Sequence, residues 1–236
     1  MQPLKHPLDL AVARVTRAEE HFADLLQRIV LHGQARTEEI EFSHHPTEAK
    51  GIVVDRKRDL PPDPMFSILV GEICYNLRAA LDYLVFELSK HDSGAEQEQT
   101  QFLIEDEVGE FLKKVPWRLK GLTPAHVAAI EDLQPFKRCE WTRRLRDLSN
   151  PDKHRTLVRV EIEHDLTVHV VDEHHLRDFE DLPGAIRTTT TRDGTQVYVK
   201  LRLGTALRFA DSSDVLQSLE EILRQVAGKL EEFKSG

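Results

Sequence analysis

The chain has 236 residues, 40% of them apolar and 31% charged, with a net charge of −9. That is enough apolar material for a sizeable core, and the charge content requires much exposed helix. The acidic balance excludes adhesion to nucleic acid or anionic membrane by overall charge, so such contact needs a local basic patch. Two cysteines without a CxxC partner, Cys74 and Cys139, exclude a disulfide framework or a zinc knuckle and fit a reducing compartment. The first ten residues lack the basic-then-apolar layout of a signal peptide, and no apolar run approaches the roughly 20 residues of a membrane helix. The expectation is a cytoplasmic protein with no membrane partner.

The first helix is predicted from about Leu8 to His32, with Val12, Val15, Phe22, Leu25, Leu26 and Ile29 recurring at three and four, and Gly33 as its stop. Ile40 to Phe42 and Ile52 to Val54 are strand-like, and either pair as a hairpin or belong to an excursion. The second helix is the clearest element. Asp63 can cap it, Pro64 suits its first position, and it reads from about 64 to 89. Phe66, Leu69, Val70, Ile73, Cys74, Leu77, Ala80, Leu81, Leu84, Val85 and Leu88 fill nearly half its circumference, and Ile68, Tyr75, Ala79 and Phe86 extend the apolar surface around the other side. Such a helix is expected at the centre of a bundle, covered on several sides, which makes its polar residues Glu72, Asn76, Arg78 and Asp82 informative.

A polar loop, His91 to Gln101, precedes a short predicted helix at Val108 to Lys114. Another begins at Thr123-Pro124 and ends before Pro135. Trp141, Leu145 and Leu148 mark a helix from about Glu140 to Leu148, broken by Asn150-Pro151. The period then changes to two. Val158, Val160 and Ile162 followed by Leu166, Val168 and Val170 read as one hairpin; Ile186 to Thr191 and Gln196 to Leu203 flank Asp193-Gly194 as a second. Gly204 suggests a break. The last helix is predicted from about Ser213 to Phe233, capped by Asp211 or Ser212. The fold class is therefore α+β in a single domain, 1–236: a helical bundle around the helix at 64–89, a C-terminal antiparallel sheet of two hairpins, and a closing helix.

The segment Asn150-Pro151-Asp152-Lys153-His154-Arg155 packs an amide, a carboxylate, an ammonium, an imidazole and a guanidinium into six residues at a helix-to-strand handover. His154 is the natural proton carrier near neutral pH, with Asp152 and Asn150 to orient it. Arg155, Lys153, Arg146 and Arg78 are the groups that could hold a phosphate or other anion. The competing reading is ordinary turn chemistry beside surface charges. Residues 137–159 carry eight basic and three acidic side chains, a local +5 on a remainder of −14. This island can focus RNA, a nucleotide or another anion, or pair with acidic segments such as Glu161 to Asp165 or Asp172-Glu173. Arg78 and Asp82, four apart on a buried helix, read as a structural ion pair or as support for the site. No HExxH or cysteine cluster occurs, and the adjacent pairs His44-His45 and His174-His175 point apart, so no metal is expected. No Gly-rich phosphate loop, GxGxxG or GxSxG occurs, so no cofactor is expected either.

Gly71 to Val85, with Asn76-Leu77-Arg78 and Ala80-Leu81-Asp82, resembles the N-L-R-x-A-L-D-x-L helix of a family of bacterial proteins of uncharacterised activity. Leu133-Gln134-Pro135-Phe136 resembles that family's L-Q-P-[FY] segment, and Asn150 to Arg155 its N-x-D-K-H-R segment. More distantly, Asn150 and His154 resemble the polar residue and histidine of the HEPN motif, with Ser149 where its arginine would stand and Arg146 the nearest preceding arginine. The HEPN superfamily comprises helical-bundle proteins that include metal-independent endoribonucleases and nucleotide-binding relatives. The resemblance implies an enzyme acting on RNA or a nucleotide. The residues alone also allow a non-catalytic binding module in which Arg78, Asp82 and the Asn150 segment form a structural network tying the second helix to the sheet. The helical surfaces also offer faces for a homodimer.

Overall fold

A computed structural model of the chain describes residues 6–38, 40–48, 52–56, 63–153, 158–171 and 185–235. The fold is α+β. In chain order it comprises α1 (Asp9–Glu38), β1 (Ile40–His44), β2 (Ile52–Arg56), α2 (Pro64–Ser93), α3 (Val108–Arg118), α4 (Pro124–Glu131), a 3-10 turn (Pro135–Lys137), α5 (Glu140–Lys153), β3 (Val160–Val171), β4 (Ala185–Thr190), β5 (Gln196–Phe209) and α6 (Val215–Ser235). These gather into two compact units, each made of stretches distant in sequence. A helical unit takes Met1–Leu25, Pro64–Arg159 and Val215–Gly236; a sheet unit takes Leu26–Asp63 and Val160–Asp214. Among the described residues, no helix is long and apolar enough to cross a membrane.

In the helical unit, α2 packs against α5 and α6. Every residue of the predicted α2 stripe, from Phe66 to Leu88, is buried. At roughly 1.5–3 kcal/mol per fully buried large apolar side chain, that stripe contributes heavily to the unit's stability. The other side differs from expectation. Ile68 and Tyr75 are 36% and 53% exposed, and Ala79 and Phe86 only half-buried, so α2 is covered on one broad face and not all round. Leu219, Ile222, Val226 and Leu230 of α6 and Leu145 of α5 fill in against the covered face.

In the sheet unit, β3, β5 and β4 form an antiparallel sheet in that order. The first expected hairpin is instead one strand. β3 runs unbroken beside β5, from Val160 opposite Phe209 to Val171 opposite Tyr198. The reason lies in the parity of its apolar residues: 160, 162, 166, 168 and 170 are all even, so no change of face interrupts them. β5 likewise continues through Gly204, which stands opposite Asp165. The second hairpin forms as read. Its turn is longer than the two-residue type: Thr191 N–H bonds Thr195 O, Gly194 N–H bonds Thr191 O, and Gly194 has φ +88, a geometry that favours glycine.

β1 and β2 pair antiparallel, Ile40 with Arg56 through His44 with Ile52. Ile40 clusters with Val199 and Leu201, with Phe42, Ile52, Val54, Leu166 and Val168 packed around them. Arg187 Nη1 donates to Ile40 O at 2.8 Å, and His44 Nε2 to Thr190 O at 2.9 Å. Gly33 does not stop α1, which continues to Glu38. A Cβ on Gly33 would stand 3.1 Å from Thr205 Oγ1, so its small size serves close packing instead of termination.

Candidate functional site

Arg78 and Asp82, one turn apart on α2, face a segment about twenty residues further on. Arg78 Nη2 donates to Phe102 O, while Asp82 Oδ1 accepts from Phe102 N–H at 2.9 Å. The two side chains thus take both polar groups of one main-chain residue, lying 3.7 Å from each other. The guanidinium also stands 5.9 Å from the centre of the Phe102 ring. Burial lowers the Arg78 pKa, opposed by the charges of Asp82 and Glu105. The residue is 9% exposed, and its Nη1 is buried without a hydrogen-bond partner.

Gln134 acts on the same segment from the other side. It is fully buried; Nε2 donates to Leu103 O at 2.7 Å and Ile130 O at 3.0 Å, and Oε1 accepts from Glu105 N–H at 2.9 Å. Pro135 then opens the 3-10 turn, which closes on Arg138 at φ 67. Among the described residues, 102–105 have no strand partner, so these side chains do for their backbone what a sheet neighbour would. Phe102, Leu103 and Ile104 are buried beneath. Gln134 is the polar member of the Leu-Gln-Pro-Phe segment, and that motif was its only sequence signal.

The segment so held is one wall of a cleft of about 560 Å3. One face of α3 supplies Glu110, Lys114, Trp117 and Arg118, and α5 supplies Arg146 and Ser149. Arg78 and the α5 residues immediately before Asn150 therefore line the same cleft. Arg146 donates to Asp106 at 2.7 Å and pairs with Asp147 at 2.8 Å. Burial opposes its charge, but these two partners prevail and raise its pKa; the Arg146 hydrogen bond is likewise the main cause lowering that of Asp106. Lys114 pairs with Glu105 at 2.7 Å. Arg118 donates to Gln99 O at 3.1 Å, its guanidinium 5.4 Å from the Trp117 ring centre. Four cationic side chains, Arg78, Lys114, Arg118 and Arg146, are matched by four carboxylates, Glu105, Asp106, Glu107 and Glu110.

The helix α5 continues through Lys153, so Asn150, Asp152 and Lys153 lie in its last turn and not in a break before a strand. Pro151 is accommodated because proline's fixed φ is helical and, so near the helix end, its missing N–H removes one bond only. His154 and Arg155 lie outside the described residues. Part of the basic island is paired within the helical unit. Lys137 pairs with Glu131, and Arg143 with Glu140 and Asp106.

One arrangement had no motif to announce it. Asp92, its side chain only 4% exposed, accepts from Thr123 N–H at 2.7 Å, bonds His126 Nδ1 at 2.6 Å, and lies 3.2 Å from His91 Nδ1. Burial would raise its pKa, but those hydrogen bonds outweigh it and hold the carboxyl at about 2. The group fastens the start of α4 to the end of α2. Among the described residues, no group of three or more His, Cys, Asp or Glu could hold a metal ion.

Comparison with protein-family models, curated proteins and solved structures finds no match.

Proposed function

We propose that the cleft between residues 101–107, α3 and α5 takes a nucleotide or a short stretch of RNA. The observation that supports this reading is that Arg78, Arg146 and Ser149 line one cleft, at the root of the turn that carries Asn150, Asp152 and Lys153. Trp117, 53% exposed, offers a ring on which a base can stack, and Arg146, Arg118 and Lys114 offer donors to phosphate. Asp106 is 54% exposed, so a phosphate can replace it on Arg146, whereas Glu105, only 17% exposed, stays on Lys114. His154 then acts as general base and acid, as in the HEPN-like resemblance. A ribose 2′-hydroxyl loses its proton to the imidazole and attacks the adjacent phosphorus, and the 5′-oxygen leaves with a proton returned. Arg155 and Lys153 hold the phosphate; Asn150 and Asp152 orient the imidazole. The helical setting of Asn150 to Lys153 suits that resemblance, and Cys74 and Cys139, in no disulfide, suit the cytoplasm.

The test is cleavage of a short RNA and of its 2′-deoxy counterpart, with chelator present. The proposal expects cleavage of the RNA alone, undiminished by chelator and lost in His154→Ala. Activity unchanged in His154→Ala overturns it.

A second reading has its own support. Arg78, Asp82 and Gln134 are committed to the backbone of residues 102–105, as expected of a binding module with no chemistry in which the motif residues are scaffolding. On this reading His154→Ala has no activity to lose, while nucleotide binding in the cleft persists.

A further inference from the structure

The uncovered side of α2 carries a different kind of arginine. Arg14 of α1 donates from Nη1 to Asn76 Oδ1 at 3.2 Å, and its guanidinium lies 5.7 Å from the centre of the Tyr83 ring. Asn76, 3% exposed, is held by its own Nδ2 donating to Glu72 O at 2.8 Å, so its carbonyl oxygen is fixed toward Arg14. Among the described residues no carboxylate pairs with Arg14. The guanidinium is therefore oriented by an amide and a ring while its charge goes unanswered. An arginine held so, with donors to spare, is prepared for a planar anion.

Around it lies surface that α2 exposes. A groove of about 590 Å3 is walled by Tyr75, Ala79, Tyr83 and Phe86 with Arg14, and an adjoining one of about 500 Å3 shares Arg14 and Tyr75. The grooves also hold acids, Asp82, Glu96 and Glu98 in the first and Glu20, Asp24 and Glu72 in the second, none of them within ion-pair distance of Arg14. Asp82 accepts from Phe102 N–H and lies beside Arg78, and Glu96 pairs with Lys90 at 2.9 Å. Aromatic walls around a positive group without a counter-charge describe the ligand's chemistry: a flat apolar body with one anionic end.

We propose that the groove at Arg14, which shares Arg78 alone with the cleft of the proposed function, is a binding site for a planar aromatic carboxylate. The carboxylate engages the free donors of Arg14, and the ring lies against Tyr75 and Tyr83. If Arg14 merely staples α1 to α2, its removal changes stability and nothing else.

The test is an NMR titration of the full chain with 2-naphthoate and with its uncharged counterpart 2-naphthalenemethanol. The expected result is saturable shifts around Tyr75 and Tyr83 with naphthoate. Arg14→Ala and Tyr75→Ala each weaken binding about tenfold, and Arg14→Lys falls between, because an ammonium lacks the planar fork. The neutral compound binds without regard to Arg14, and Arg146→Ala leaves naphthoate binding unchanged. Absence of saturable shifts, or equal naphthoate affinity in a folded Arg14→Ala, overturns the proposal. Should Arg14→Ala fail to fold, Tyr75→Ala decides, since a half-exposed side chain is not needed for folding; unaltered affinity there overturns it equally.

Discussion

Arg78 and Arg14 both serve α2, yet they are held in opposite ways. Arg78 is buried, bonded to a main-chain carbonyl, and accompanied by a carboxylate. Arg14 is half-buried and held by an amide and an aromatic ring, with no acid to pair with among the described residues. The difference teaches that residue type and helix position do not decide whether a cation is scaffold or site. What decides is whether a carboxylate already answers its charge: Arg78 has Asp82 beside it, although its buried Nη1 has no hydrogen-bond partner. Arg78 fixes a wall; Arg14 has donors and charge left over.

The largest effect that could break this contrast is on stability at Arg78. Arg78→Ala leaves Phe102 O without its donor and Asp82 without its cation, and is expected to cost about 3 kcal/mol in urea unfolding. An unchanged midpoint would remove Arg78 from the scaffold. Gln134→Ala should cost about 2 kcal/mol for its three bonds to the same stretch, and a double-mutant cycle with Arg78→Ala should be non-additive, because both hold residues 102–105. Strict additivity would mean that the segment is not held as a unit.

Asp92 sharpens the contrast from the acidic side, as a charge whose partners are fully committed. Its folded pKa of about 2 lies below the usual carboxylate value of 3.8. A depressed folded pKa means that the unfolded chain takes up the proton first. The contribution is therefore present above about pH 4 and lost as pH falls toward 2. Wild type should exceed Asp92→Asn by about 2 kcal/mol at neutral pH, and the gap should close on acidification. A gap independent of pH would contradict the assignment. Smallest of all, Arg14→Ala should cost only about 1 kcal/mol, the value of one exchangeable hydrogen bond and a ring contact. A loss as large as that of Arg78→Ala would make the two arginines alike and collapse the comparison.

Much of the fold could be read from local pattern. The stripe of α2 is buried at every position that the helical period assigns to it, and the hairpin at Asp193-Gly194 forms. The single strand β3 was present in the even numbering of its apolar residues, but the polar stretch His164-Asp165 suggested a turn. It is a strand because β5, which begins 25 residues after β3 ends, supplies a partner along its whole length. The site was legible only in part. Spacing made Arg78 and Asp82 neighbours, but nothing local could announce that their shared target is the Phe102 peptide. Nor could a pattern reveal that Asn76, 62 residues from Arg14, orients it, since that contact depends on how α1 packs. Periodicity assigns Tyr75 and Phe86 of α2 to the core because it reports which face a residue is on, not whether a neighbour covers it.

The most direct measurement is an NMR titration of the full chain with adenosine monophosphate, following the Trp117 indole N–H and the Arg146 Nε–H. The account predicts that both move together and saturate, with Arg146→Ala weakening the binding and Arg14→Ala leaving it unchanged. Shifts absent at both groups, or binding indifferent to Arg146, would contradict the assignment of the cleft.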